Sequence, residues 1–232
     1  MYLPLDRVAS TTEGVKMGTK HRIMIVDDHP IVREGLCSLL AAEPDAEVCG
    51  EAEDVDEALV QLELTDPDLV VIDISLKSSN GIRLLGEIRA RRPDVKALVW
   101  SMYDEKLFAE RALRAGAMGY INKRESMDHT VEAIRQVLRG EVYLSEPMTR
   151  QLLARVSKGK PMASDPVQTL SDRELEVFQM IGQGMSTQQI AHRLQLSPKT
   201  VEAHRERIKL KLDVRNAAEL SRRAVEWALQ GG

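Results

Sequence analysis

The fold is decided by a short stretch near the start of the chain, IMIVDDHP at residues 23–30. Four apolar residues in a row suit a strand buried on both faces of a parallel sheet, and Pro30 suits the first turn of a helix. Similar runs occur at 69–72 (LVVI) and 97–100 (ALVW), with weaker strand patterns at 47–51 and 119–122. Amphipathic helical stretches separate these five segments. The pattern predicts (βα)5, a doubly wound parallel sheet.

The rest of the chain has a different character. A short helix is predicted over 146–156, and a linker rich in Pro, Gly and Ser follows as far as 166. Beyond the linker, helix-start signals at Ser171, Ser186 and Ser197, with a further helical stretch over 216–229, predict an all-α domain of four short helices. We therefore expect a disordered extension over 1–20 (Met17 is an alternative start), an α/β domain over 21–140, a linker with a short helix over 141–166, and a helical domain over 167–232.

Charge is distributed unevenly along the chain. Residues 20–140 hold 16 Lys and Arg against 23 Asp and Glu, a balance of −7, whereas residues 165–232 hold 10 against 9, a balance of +1. An acidic half joined to a locally basic half indicates two separate tasks. No apolar run approaches the roughly 20 residues that span a bilayer, and the two cysteines form no CxxC motif. We expect a cytoplasmic protein without a membrane span, a disulfide framework or a zinc site.

Polar residues stand where the predicted strands end. Asp27 and Asp28 follow the first strand, Asp73 follows the third, Ser101 the fourth, and Lys123 the fifth. The carboxyl ends of parallel strands share one edge of a sheet, so these side chains are expected to converge there. Neighbouring carboxylates repel one another unless a cation lies among them, and hard oxygen ligands suit Mg²⁺. Such an ion also suits attack by a carboxylate on a phosphoryl group, because it offsets the negative charge of both.

These segments resemble a bacterial response-regulator receiver domain. The resemblance spans about residues 22–139 and rests on IVDDHP (25–30), VID (71–73), WSMYDE (100–105) and GYINK (119–123). It implies a flavodoxin-like fold with Asp73 as phosphoacceptor and Mg²⁺ as cofactor. It also implies that Asp28, Asp73 and the backbone carbonyl of Ser75 bind the metal directly, and that Asp27 binds it through water. Lys123 would pair with the phosphoryl oxygens. Ser101 and Tyr120 would change conformation together as a switch. Arg124 departs from the family pattern, which has proline at this position.

The helical half has the spacing of a helix-turn-helix. Two predicted helices, 186–194 and 198–212, are joined by the tripeptide QLS, and in such motifs the second helix enters the major groove of DNA. The second helix carries five Lys and Arg against two Glu, an excess of three positive charges. Val201, His204, Ile208 and Leu212 share one face, which we expect to pack inward.

Four segments resemble a LuxR-type helix-turn-helix: LSDRE (170–174), IA (190–191), TVEAH (200–204) and KL (211–212). Joined to a receiver, this is similar to the NarL/FixJ family of response regulators. The resemblance places Glu202, Ala203 and Glu206 toward base edges. The other candidate DNA contacts are Thr187, Gln188, Lys199, Thr200, Arg205, Arg207 and Lys209. Some family members carry lysines in place of Glu202 and Glu206; an acid there would accept from cytosine N4 but weaken attraction to phosphate.

The hypothesis is a DNA-binding transcriptional response regulator, not an enzyme. A sensor histidine kinase would phosphorylate Asp73, and a homodimer would then bind double-stranded DNA, with RNA polymerase as a further candidate partner. In the family the unphosphorylated receiver can cover the recognition helix. Two alternatives stay open. The receiver could serve only dimerisation, independently of phosphate, or the chain could be an aspartate-nucleophile phosphatase, although those enzymes usually carry DxD rather than adjacent acids at the first strand.

Overall fold

The first half of the protein is one sheet of five parallel strands in the order β2-β1-β3-β4-β5, with helices on both faces. The computed structural model describes residues 20–76, 80–157 and 166–229. The strands are β1 (His21–Val26), β2 (Ala46–Ala52), β3 (Leu69–Ile72), β4 (Lys96–Ser101) and β5 (Gly119–Asn122). The helices are α1 (Pro30–Ala41), α2 (Val55–Thr65), α3 (Gly81–Arg91), α4 (Glu105–Ala115) and α5 (Met127–Leu138). The predicted doubly wound (βα)5 fold is confirmed.

Each strand supplies two separate cores, because successive residues point to opposite faces of the sheet. Ile23 and Ile25 of β1 share a buried cluster with residues of α1 and α5 such as Leu36 and Ile134. Met24 and Val26 belong to the cluster on the other face, which includes residues of α2, α3 and α4. The apolar runs therefore fill the interior, and polar side chains gather beyond the strand ends.

The weaker predicted segments differ slightly from the structure. β2 is one residue longer at each end than the predicted 47–51, and its pairing with β1 contains a register shift between Ile23 and Met24. The short helix before the linker, α6, spans Glu146–Ser157. The predicted disordered extension lies outside the described residues except for Lys20, and so does most of the linker.

The second half is a small helical bundle. A 3-10 turn at Pro166–Thr169 leads into α7 (Asp172–Gly182), α8 (Thr187–Arg193), α9 (Pro198–Leu212) and α10 (Ala217–Leu229). Capping boxes begin α7 and α8, and Ser197 caps α9 ahead of Pro198, as the sequence predicts. Trp227 of α10 packs against Phe178 of α7, with ring centroids 5.3 Å apart.

The two halves are in direct contact through polar groups. Asn80, the N-cap of α3, donates from Nδ2 to Oε1 of Glu176 on α7 at 3.0 Å. Arg111 of α4 donates to the carbonyl of Leu170 at 2.8 Å and to Oδ1 of Asp172 at 3.0 Å. The receiver-like half thus contacts the start and first turns of α7.

Within the described ranges, no helix combines the length and the apolar character that a membrane span requires.

Candidate acidic site and nucleic-acid interface

The carboxyl edge of the sheet brings the predicted acids together. β1 and β3 are adjacent strands, so Asp27 and Asp28 lie next to Asp73, and all three side chains are buried. One ligand atom from each of these acids and from His29 falls within a cluster whose members lie no more than 4.8 Å apart. The convergence predicted from the strand ends is therefore present.

Asp73 is held on both of its oxygens. Oδ1 accepts from the hydroxyl of Ser101 at 2.8 Å and from the backbone N–H of Ser75 at 3.2 Å. Oδ2 accepts from Nζ of Lys123 at 2.6 Å. Burial, at 3% exposure, raises the pKa of Asp73 above its ordinary value, although Lys123 and the hydrogen bonds act in the opposite direction. A fixed carboxylate with little solvation is a group suited to nucleophilic attack.

Lys123 bridges the acids of two strands. Its ammonium group contacts Oδ2 of Asp27 as well as Asp73, and it lies 5.2 Å from the ring centroid of Trp100. Burial alone would lower the pKa of Lys123, but the carboxylates of Asp73 and Asp27 outweigh it and raise that pKa. Arg124, in place of the family's proline, donates its backbone N–H to Oδ1 of Asn122 at 3.0 Å, a bond that proline cannot make.

The acids also fit a divalent cation. Oδ1 of Asp28 is buried and accepts no hydrogen bond within the described part of the chain; Nδ1 of His29 approaches to 2.7 Å, but without hydrogen-bond geometry. A buried carboxylate oxygen without a donor is costly unless another positive partner neutralises it. The oxygen donors beside it are those that Mg²⁺ prefers.

The two predicted switch residues occupy defined positions. Ser101 is fully buried and already donates to Asp73. Tyr120 is fully buried, and its hydroxyl donates to the carbonyl of Tyr103 at 3.0 Å. Tyr120 therefore points inward here, beneath the loop that follows β4.

Three residues that were not predicted from the sequence also shape this site. Tyr103, stacked on Phe108 at 4.9 Å, donates to the Ser75 hydroxyl at 3.4 Å. Gly81 leaves room for the backbone of Asp73, because a Cβ at this position would lie 2.2 Å from the Asp73 carbonyl oxygen. Glu176, from the distant helical half, is fully buried and bonded to Asn80.

The helix-turn-helix has the predicted geometry. Val201, Ile208 and Leu212 of α9 are buried, and His204 is half-buried, which agrees with the inward face. The predicted DNA contacts on the exposed surface are Gln188, Lys199, Glu202, Ala203, Glu206 and Arg207, whereas Thr187, Thr200, Arg205 and Lys209 are half-buried.

The position of the recognition helix relative to the receiver can be described directly. In the family the unphosphorylated receiver can cover this helix, whereas here Lys199, Ala203 and Glu206 of α9 are exposed to solvent. The hydrogen bonds between the halves described above reach Asp172 and Glu176 of α7, and Arg193 at the end of α8 lines a cavity together with Asp73 and Lys123.

Two family models match separate parts of the chain. Residues 23–135 match the family model of the response regulator receiver domain. Residues 168–224 match the model of bacterial regulatory proteins of the luxR family.

Curated relatives match almost end to end. The oxygen regulatory protein NreC of Staphylococcus carnosus (strain TM300) is 35% identical over 214 residues, covering 90% of this chain and 97% of that protein. The response regulator GacA of Pseudomonas aeruginosa is 34% identical over 208 residues, with the same coverage of 90% and 97%.

Two solved structures of response regulators are similar to this chain. RcsB of Salmonella enterica serovar Typhimurium, bound to the promoter rprA in the presence of the phosphomimetic BeF3−, is 25% identical with a TM-score of 0.57, covering 88% of this chain and 98% of that chain. A LuxR-family two-component response regulator from Aurantimonas sp. SI85-9A1 is 35% identical with a TM-score of 0.56, covering 60% and 99%.

Proposed function

The chain belongs to the NarL/FixJ-type response regulators, which join a receiver to a LuxR-type DNA-binding domain, and on that premise we propose that phosphorylation of Asp73 controls its binding to DNA. The family is one of transcription regulators, and we propose that the chain turns over no substrate of its own. The receiver would occupy residues 21–140 and the DNA-binding domain residues 167–232, with the linker between them.

The observation that carries this proposal is the environment of the Asp73 carboxylate. It is buried, held by Ser101 and Lys123, and adjacent to the two acids that follow β1. In the proposed step, an Asp73 oxygen attacks the phosphorus of a phosphohistidine on a sensor histidine kinase. A P–O bond forms, the P–N bond breaks, and the leaving imidazole takes a proton from solvent. Lys123 then neutralises a phosphoryl oxygen, and Ser101 donates to another.

We propose Mg²⁺ as the cofactor of this site. Asp28, Asp73 and the backbone carbonyl of Ser75 would hold it directly, and Asp27 through water. When bound, the ion supplies positive charge between the attacking carboxylate and the phosphoryl oxygens. The buried Oδ1 of Asp28, which accepts no hydrogen bond within the described residues, supports this assignment.

DNA binding is assigned to α9, with α8 lying across the backbone. Glu202, Ala203 and Glu206 would face base edges. The contacts to phosphate and neighbouring bases would come from Gln188, Lys199, Thr200, Arg205, Arg207 and Lys209, and from Thr187 through its backbone N–H, because its hydroxyl donates to Glu202. The active species would be a cytoplasmic homodimer on two half-sites, able to recruit RNA polymerase.

The exposure of α9 bears on how phosphate acts. The outward residues of α9 are exposed to solvent in this structure, and the hydrogen bonds between the halves described above reach residues at and just before α7. We propose that phosphorylation acts by releasing the contacts of α7 and by promoting dimerisation.

The test compares wild type with Asp73→Asn after incubation with Mg²⁺ and a low-molecular-weight acyl phosphate. Asp68→Asn, at the opposite end of β3, is the matched control. Wild type and the control should gain about 80 Da of phosphoryl mass and dimerise, while Asp73→Asn should do neither, as measured by intact mass and light scattering. Equal phosphate uptake by all three proteins would show that Asp73 is not the acceptor.

A further inference from the structure

An acidic side chain lies in the part of α9 that is otherwise suited to DNA. The Glu202 side chain is 53% exposed in the first turns of this helix. Its Oε1 accepts a hydrogen bond from the hydroxyl of Thr187 at 2.6 Å, and this bond favours one orientation of the side chain. Thr187 is the first residue of α8, so this bond joins the two helices of the motif. Glu202 is therefore a carboxylate fixed by the fold.

The second oxygen of this carboxylate is much less restrained. Oε2 lies 3.7 Å from Nε of Arg205, a long ion-pair distance. A carboxylate accepts hydrogen bonds and donates none, so it retains an acceptor for a partner outside the protein. Thr187 holds one oxygen while the other remains available, an arrangement that sets the direction of that acceptor.

A fixed acid facing DNA can be useful only at a donor. Phosphates repel it, and so do the acceptors of the major groove: O6 and N7 of guanine, N7 of adenine and O4 of thymine. The donors there are N4 of cytosine and N6 of adenine, and the adenine donor lies beside the repelling N7. The chemistry of Glu202 therefore favours cytosine over the other three bases.

We propose that Glu202 is a specificity-determining residue that selects a cytosine in each half-site, and that Thr187 is its positioning residue. This rests on the proposed function, because it requires α9 to lie in the major groove. It extends that function by naming the base, the accepting group and the side chain that orients it.

The experiment uses the full-length chain, treated with Mg²⁺ and an acyl phosphate, and a randomised double-stranded DNA pool. Sites enriched by wild type should contain one invariant cytosine per half-site that depends on Glu202. Changing that cytosine to guanine or thymine should weaken binding about 5- to 150-fold.

Variants at position 202 separate base selection from charge. Glu202→Gln should shift the preference at this position from cytosine to adenine, because an amide matches N6 and N7 of adenine. Glu202→Ala should abolish the preference. Glu63→Gln, on the exposed surface of α2, removes the same charge and should leave the preference intact. If Glu202→Gln tightens binding to every sequence by the same factor and keeps the wild-type preference, Glu202 is only a surface charge and the proposal is wrong.

Variants at position 187 test the positioning role. Thr187→Val keeps the shape but removes the hydroxyl, and should reduce the cytosine discrimination severalfold while the urea midpoint stays unchanged. Thr187→Ser should restore the discrimination. Discrimination that survives in Thr187→Val would remove Thr187 from the proposal.

Lys199→Ala and Arg207→Ala test whether α9 contacts DNA at all, and so separate a failure of the proposed function from a failure of this inference. If both leave DNA affinity unchanged, α9 is not the DNA-contacting helix, and the proposed function fails together with this inference. If both weaken all sequences equally but Glu202→Gln keeps the cytosine preference, only the inference fails.

Discussion

Replacing Glu176 by Gln tests the contact between the two halves of the molecule. Glu176 is fully buried, accepts from Asn80 at 3.0 Å, and pairs with Arg173 at 2.6 Å. Burial raises the pKa of Glu176 to about 7, because the desolvation of the charged form outweighs the attraction of Arg173, and the charges of Asp172 and Asp73 add to the rise.

The sign of the pH dependence follows from this pKa. A carboxyl whose pKa is higher in the folded than in the unfolded chain takes up protons on folding, so its contribution to stability is present at low pH and is lost as the pH rises. The pKa of Glu176 rises from an ordinary value of 4.5 to about 7 on folding. Once the pH exceeds both pKa values, the free energy of unfolding is lower by about 3 kcal/mol than it is at low pH. Most of it, about 2–3 kcal/mol, should fall between pH 5 and pH 8.

Gln cannot ionise, so Glu176→Gln should not show this loss. We expect its free energy of unfolding to exceed that of wild type by about 2–3 kcal/mol more at pH 8 than at pH 5. Urea unfolding followed by Trp227 fluorescence, in a Trp100→Phe background, measures the helical half directly. Glu226→Gln, at an exposed site on α10, is the control and should match wild type at both pH values. If the pH dependence of Glu176→Gln stays within about 0.5 kcal/mol of wild type, Glu176 is not a buried acid and the contact is not as described.

Two further predictions concern the acidic site. Gly81→Ala should destabilise the receiver by about 1–3 kcal/mol, because the added Cβ would lie 2.2 Å from the Asp73 carbonyl oxygen. Gly86→Ala, on the same helix, is the control: its added Cβ meets nothing within 4 Å, so the variant should be neutral or stabilising. Equal urea midpoints for the two variants would contradict the steric argument. Asp28→Asn should weaken Mg²⁺ binding on the order of tenfold or more, because it removes a charged ligand, whereas Asp68→Asn should leave the affinity unchanged. Calorimetric titration with MgCl₂ measures both affinities. An unchanged affinity in Asp28→Asn would show that Asp28 is not a ligand of the metal.

Local patterns were enough to predict the sheet and the acidic edge. The runs at 23–26 and 69–72 are apolar on both faces because both faces are covered, and a polar residue directly after such a run has only the sheet edge to occupy. The ends of β2 were predicted less accurately. This edge strand carries Glu47 at a half-buried position and Glu51 at an exposed one, so its sequence is less uniformly apolar.

Contacts between distant segments could not be predicted in this way. Asn80 and Glu176 are 96 residues apart, and Glu176 looks like an ordinary helix-surface acid until the receiver covers it. Thr187 and Glu202 lie on different helices, so their bond depends on the angle between α8 and α9. The steric role of Gly81 likewise depends on the path of the Asp73 backbone, which composition does not encode.

The contact between the halves is polar, and this affects how readily it can open. The hydrogen bonds from Asn80 and Arg111 to the helical half each contribute about 0.5–1.5 kcal/mol, or somewhat more where a charge is involved. Their sum is a few kcal/mol. The electrostatic energy that one added charge contributes at short distance in a protein is of similar size. A phosphoryl group on Asp73 would bring a charge close to −2 toward Glu176, whose pKa is already raised in part by Asp73. In the proposed mechanism this repulsion would weaken the contact from the side of the receiver. Because the outward residues of α9 are exposed in this structure, phosphorylation would then act on assembly of the dimer rather than by uncovering the recognition helix.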